Sequence, residues 1–164
     1  PQGAAVEARQ VQALLDTVTP STECLQTADL PGPTGESNRY SVYGRGTILC
    51  LGPTAEIAGQ QMEIATANGC TAIGIAPGLT GVGTIDGCLA ADTLATLSAF
   101  DGVAFCGPDD ALLEMRKTLA GRDGKLIPLF SEDDLAQRCQ LERHICIDTT
   151  AAGGNASLLA GTSA

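Results

Sequence analysis

The sequence predicts an α/β fold around a parallel sheet, and three observations lead there. Short continuous apolar runs recur, "GTILCLG", "TAIGIA", "GVAFCG" and "KLIPL". They have the form of strands covered on both faces. Stretches of helical periodicity lie between them, and strands that alternate with helices assemble into parallel sheets. The composition agrees, because 44% hydrophobic residues with only 3% aromatics and 20 glycines demand an aliphatic core with close helix contacts. A chain of 164 residues is long enough for one such core.

The elements follow in chain order. Residues 5 to 18, "AVEARQVQALLDTV", space Val11, Leu14, Leu15 and Val18 as an amphipathic helix that Pro20 ends. Residues 19 to 44 are rich in Pro, Gly, Ser and Thr without a sustained period, and are expected to be a connecting segment draped over a surface. A strand at 45 to 51 is followed by Pro53, Thr54 and a helix in which Ile57, Gln61, Ile64 and Ala65 share a face, with Gly69 as the stop. The second strand is 71 to 76, the next helix 88 to 100 and the third strand 102 to 107. Pro108 opens a helix that Gly121 closes, and 125 to 129 is the fourth strand. Ser131 and Asp134 resemble a capping box before a short helix through "LAQRC".

This order predicts a Rossmann-like three-layer parallel sheet. The last strand differs. In "LERHICIDT", Ile145 and Ile147 alternate with His144, Cys146 and Asp148, the pattern of a half-exposed strand lying outside the main sheet. The expected organisation is a helix and connecting segment at 1–44, a Rossmann-like core at 45–140, and a flap strand with a C-terminal docking tail at 141–164. The chain starts at Pro1 rather than Met, as expected of a segment cut from a longer polypeptide.

Charge and cysteine usage narrow the function. A formal net charge of -10 repels phosphate backbones and anionic headgroups, so neither nucleic acid nor a membrane surface is an expected partner. No stretch approaches the length of a bilayer span. The seven cysteines are odd in number and mostly lie in apolar runs, as expected of reduced core thiols in a cytoplasmic protein. No Cys-x-x-Cys or zinc-spaced Cys/His set occurs, so no metal site is expected.

Three segments could carry chemistry. The loop "PGLTGVGTIDG" lies between a strand and a helix, where a dinucleotide fingerprint would be. Asp86, however, would face the pyrophosphate at the third glycine position, and a flexible linking loop is the favoured reading. A nucleotide-binding module remains the alternative. His144, Cys146 and Asp148 share one strand face, but positions two apart on a strand lie about 7 Å from each other, too far for a direct dyad. No catalytic residue is therefore assigned. The closing "DTTAAGGNASLLA" has no Lys or Arg to hold a phosphate. Its small residues allow close backbone approach, and its paired leucines offer apolar anchors.

Two segments, "LPGPTGESNRYSVYGRGTILCLG" (30–52) and "LERHICIDTTAAGGNASLLA" (141–160), resemble the C-terminal region of long-form proline utilization A. That family comprises bifunctional proline dehydrogenases and glutamate semialdehyde dehydrogenases. "DGVAFCG" and "GRDGK" agree as well, whereas residues 1 to 29 match weakly. The resemblance implies a fold similar to the Rossmann domain of aldehyde dehydrogenases but without catalytic activity or a cofactor of its own, FAD and NAD belonging to the parent enzyme. It implies a lid that packs on the semialdehyde dehydrogenase module of the same polypeptide and helps enclose the channelling cavity. The strand near 143–149 would be a flap like the one aldehyde dehydrogenases use to oligomerise, which leaves self-association open. The expected docking residues are Arg143, Ile145, Ile147, Asp148, Thr149, Thr150, Gly153, Gly154, Asn155, Leu158 and Leu159.

Overall fold

A computed structural model describes residues 3–131 and 135–148. In chain order the elements are α1 (Ala8–Leu15), β1 (Cys24–Leu30), β2 (Glu36–Gly44), β3 (Thr47–Leu51), α2 (Ala55–Ala67), β4 (Thr71–Ala76) and β5 (Thr84–Asp86). A 3-10 turn (Ala91–Ala95), β6 (Gly102–Phe105), α3 (Asp109–Ala120), β7 (Leu129–Phe130), α4 (Leu135–Arg138) and β8 (Gln140–Asp148) complete it. Five strands form a parallel sheet in the order β5-β4-β3-β6-β7. The remaining three form a separate antiparallel sheet, β1-β2-β8.

Strand periodicity sorts the core into two layers around the parallel sheet. All five residues of β3 are buried. Leu49 and Leu51 pack with Val11 and Leu15 of α1, Leu94 of the 3-10 turn, and Met115 and Leu119 of α3. Ile48 and Cys50 point the other way, to Ala65 of α2 and to Leu135 and Cys139 at α4. Helices on both faces make this the expected Rossmann-like three-layer α/β fold. Thr54 caps α2 by accepting from the Ile57 N–H at 3.2 Å, and Gly69 follows the helix at φ 72°. Burying a β3 side chain such as Leu49 contributes about 1.5–3 kcal/mol relative to exposure.

In the elements up to β7 the structure departs from the sequence expectations at five places. Residues 19–44 hold strands β1 and β2 rather than a plain connection. The turn between them bonds the Glu36 N–H to the Pro33 carbonyl at 3.0 Å, with Gly35 at φ 88°, so the glycines and prolines there make a hairpin. The helix expected at 88–100 is only the 3-10 turn. Its neighbours take partners elsewhere: the Ser98 N–H donates to Gln12, Arg122 donates to the Leu94 and Leu97 carbonyls, and Ala99 sits at φ 62°. The fourth strand moves from 125–129 to Leu129–Phe130, because Pro128 cannot donate to a ladder and offers only its carbonyl, to Val103. The loop at 77–87 contributes an edge strand, β5. The buried face of α2 is Ala58, Gln61 and Ala65, with Ile64 exposed. Asp134 of the expected capping box lies outside the described residues.

Candidate functional site

The antiparallel sheet projects from the core at a root built on Arg45, in the short link between β2 and β3. The Arg45 N–H donates to the Cys139 carbonyl at 2.9 Å, and its guanidinium donates to the carbonyls of Arg138 at 2.5 Å and Gln140 at 3.2 Å. The first residue of β8 is thereby tied to the residue that follows β2. Next to Arg45, Gly46 takes φ 120°, and a Cβ there would come within 2.0 Å of the Asp101 carboxylate. Cys70 seals the same junction, its thiol donating to the Cys139 carbonyl at 3.1 Å. A hydrogen bond from the Cys139 thiol pulls the Cys70 thiol below its ordinary range, and the Cys139 thiol is pushed up in turn.

Register assigns the faces of this sheet. Arg143, Ile145 and Ile147 of β8 lie opposite Ser41, Arg39 and Ser37 of β2. The Arg143 guanidinium stacks 4.7 Å over the Tyr43 ring, and Arg39 pairs with Asp29 across to β1 at 3.0 Å. Ile145 and Ile147 stay 57% and 56% exposed, which is too much open apolar surface for a strand with a covered face. On the other face Tyr40 donates to Glu142 at 2.8 Å, and Glu36 accepts from Asn38 at 2.8 Å and from the Cys146 thiol at 3.2 Å.

That second face is chemically quiet. The hydrogen bond to Glu36 holds the Cys146 thiol above its ordinary range, so it keeps its proton. The hydrogen bond to Glu142 raises Tyr40 likewise. His144 lies opposite Tyr40. The strand was expected to be half-exposed, yet residues 142–148 are exposed on both faces. The cysteines also differ from expectation: Cys50, Cys70 and Cys139 are buried, but Cys24, Cys106 and Cys146 are exposed.

The expected docking residues thus divide. The structure brings Arg143, Ile145 and Ile147 together on one face and sets Asp148 at the strand end opposite Glu36. Thr149, Thr150, Gly153, Gly154, Asn155, Leu158 and Leu159 lie outside the described residues. Sequence reasoning missed the partners on β2, notably Arg39 and Tyr43. The signal was present in "RYSVY", a β-branched and aromatic run at 39–43.

A second feature is a cleft of about 390 Å³ at the carboxyl ends of β3, β4 and β6, the position where open α/β sheets bind ligands. Leu51, Ile75, Phe105 and Met115 line it, and its charged lining group is the Glu114 carboxylate. Among the described residues no Lys or Arg side chain lines it to hold a pyrophosphate. The glycine loop beside it has a backbone explanation. Gly78, Gly81, Gly83 and Gly87 all adopt positive φ, and the Asp86 carboxylate closes the loop by accepting from the Gly78 N–H at 2.6 Å. Among the described residues no group of three or more potential metal ligands is found, and no helix is long and apolar enough to cross a membrane.

Comparison with known proteins places this architecture. The chain is 31% identical over 143 residues to the bifunctional protein PutA of Escherichia coli (strain K12), covering 79% of this chain. It is a PutA-related domain. PutA of Salmonella typhimurium is also 31% identical, over 160 residues and 84% of this chain. The alignments cover only 11% and 12% of those two proteins, so the chain corresponds to a small part of PutA. A solved structure of proline utilization A with proline bound in remote sites superposes with a TM-score of 0.51 at 23% identity, over 65% of this chain and 13% of that one. A point mutant of Bradyrhizobium japonicum proline utilization A gives 0.50 at 23% identity, over 65% of this chain and 13% of that one, and the likeness extends to the fold. No family model matches the chain.

Proposed function

We propose that this PutA-related domain is a non-catalytic lid of a bifunctional enzyme that oxidises proline to glutamate in the cytoplasm. In this reading it packs on the semialdehyde dehydrogenase module of the same polypeptide and closes the cavity through which the intermediate passes. FAD and NAD are held by other parts of the parent. The observation that carries the reading is β8, whose Ile145 and Ile147 stand exposed beside the stacked Arg143. Covering each isoleucine would contribute about 1.5–3 kcal/mol before ordering costs. The alignment with a small part of PutA supports a partner surface within the same chain.

The tail extends that surface. Asp148, Thr149, Thr150, Gly153, Gly154, Asn155, Leu158 and Leu159 form its docking arm, with the small residues allowing close approach and the leucines anchoring it. The test uses the full-length parent lacking residues 148–160. Proline dehydrogenase activity is expected to persist, while NADH production from proline develops a lag as the intermediate escapes. Unchanged coupled kinetics in a folded truncation would sink the lid.

A further inference from the structure

The molecule is strongly acidic overall, yet one cleft has the opposite sign. It has a volume of about 470 Å³ and lies where the root of the antiparallel sheet meets the amino ends of β3 and β6. Arg45, Arg122, Lys125 and Arg143 line it, against the carboxylates of Asp101 and Asp123. Four of the nine basic residues of a chain with net charge -10 therefore converge on one concavity. Four cations against two carboxylates leave the cleft with an excess of positive charge, which concentrates anions there.

The carboxylates present do not neutralise it. Asp101 is engaged by Lys125 at 2.6 Å and by the Thr47 N–H at 2.8 Å. Among the described residues Arg45, Arg122 and Arg143 form no ion pair with a carboxylate. Two of the three are fixed. Arg45 is held by the Arg138 and Gln140 carbonyls, and Arg122 by the Leu94 and Leu97 carbonyls while it stacks 4.9 Å from the Phe100 ring. Neutral carbonyls satisfy donors but cancel no charge, and the buried Nε of Arg122 has no partner among the described residues. Arg143, stacked on Tyr43, lines the same cleft.

We infer that this cleft binds a small dianionic oxyanion, a phosphate ester or a dicarboxylate. Arg143 is the hydrogen-bonding fork, and Arg45 and Arg122 are fixed countercharges. A planar guanidinium matches either oxyanion bidentately, so the shared chemistry is two or more oxygens carrying two charges. The ligand is small because the remaining surface is acidic and repels an extended polyanion. The inference does not depend on the lid, since the site lies wholly within this chain.

The test is calorimetric titration of the chain with inorganic phosphate and with succinate at constant ionic strength. Wild type is expected to saturate with at least one of them at a single site, and Arg143→Gln to weaken that binding tenfold or more. Arg39→Gln, which removes an exposed arginine of the same sheet outside the cleft, is expected to leave it unchanged. Saturation by phosphate alone assigns a phosphate-bearing ligand, and by succinate alone a dicarboxylate. Non-saturating heats with both anions, or equal losses in the two variants, would overturn the site.

Discussion

The two sheets use the same backbone geometry for opposite purposes. In β3 every residue is buried between two helical layers, and its side chains serve both clusters of the core. In β8 residues 142–148 are exposed on both faces, and its isoleucines contribute to neither cluster. A strand's hydrogen bonds therefore do not reveal what its side chains are for. Isoleucine in the first sheet holds the domain together, whereas in the second it is surface kept for something else.

Substitutions that separate folding from surface would break or sharpen this contrast. The largest effect belongs to Leu49→Ala, which removes a fully buried side chain from the central strand and is expected to cost about 2–5 kcal/mol in urea unfolding. A loss below about 1 kcal/mol would mean the parallel sheet is not the stability core.

Next comes pH. Burial, and secondarily the nearby Cys70, pushes the Cys50 thiol from 9.0 up to about 12. The folded protein keeps this proton to higher pH than the unfolded chain, so the contribution is complete below pH 9 and declines as pH rises towards 12. By pH 10.5 the expected loss is about 2 kcal/mol at 1.36 kcal/mol for each pH unit beyond 9. Cys50→Val should flatten that slope, and an equally steep slope in the variant would assign it to other groups. The smallest effect is expected on the antiparallel sheet. Ile145→Ser with Ile147→Ser should change unfolding free energy by less than about 0.5 kcal/mol each, because exposed side chains are seldom structural. A loss of several kcal/mol would show that β8 carries fold stability.

The core was legible because its strands are continuous apolar runs with stops at their ends, a signal independent of tertiary context. The hairpin was not. "LPGPTG" carries enough turn chemistry to mask the alternation in "RYSVY", and β2 is completed by a partner about a hundred positions away, as in the contact of Tyr40 with Glu142. The segment at 88–100 has helical composition, but Arg122 and Gln12 claim its backbone groups, which no local pattern announces. Alternation alone put Ile145 and Ile147 on one face, as the register has them, whereas Arg143 was named only through the family resemblance. The convergence of Arg45, Arg122 and Arg143 was invisible, because they are scattered over nearly a hundred residues.

The pairing of β2 with β8 also sets an order of assembly. β2 lies immediately before the parallel core and β8 after it, so the central strand of the three-stranded sheet lacks one neighbour until the whole intervening layer has collapsed. Closing that loop early carries an entropy cost with little contact energy in return, whereas the folded core brings Gly44 and Gln140 side by side through Arg45. The hairpin of β1 and β2 thus waits with one row of peptide groups open to solvent. This connectivity predicts that the sheet closes after the core, from the root outward, which hydrogen-exchange labelling during refolding would check.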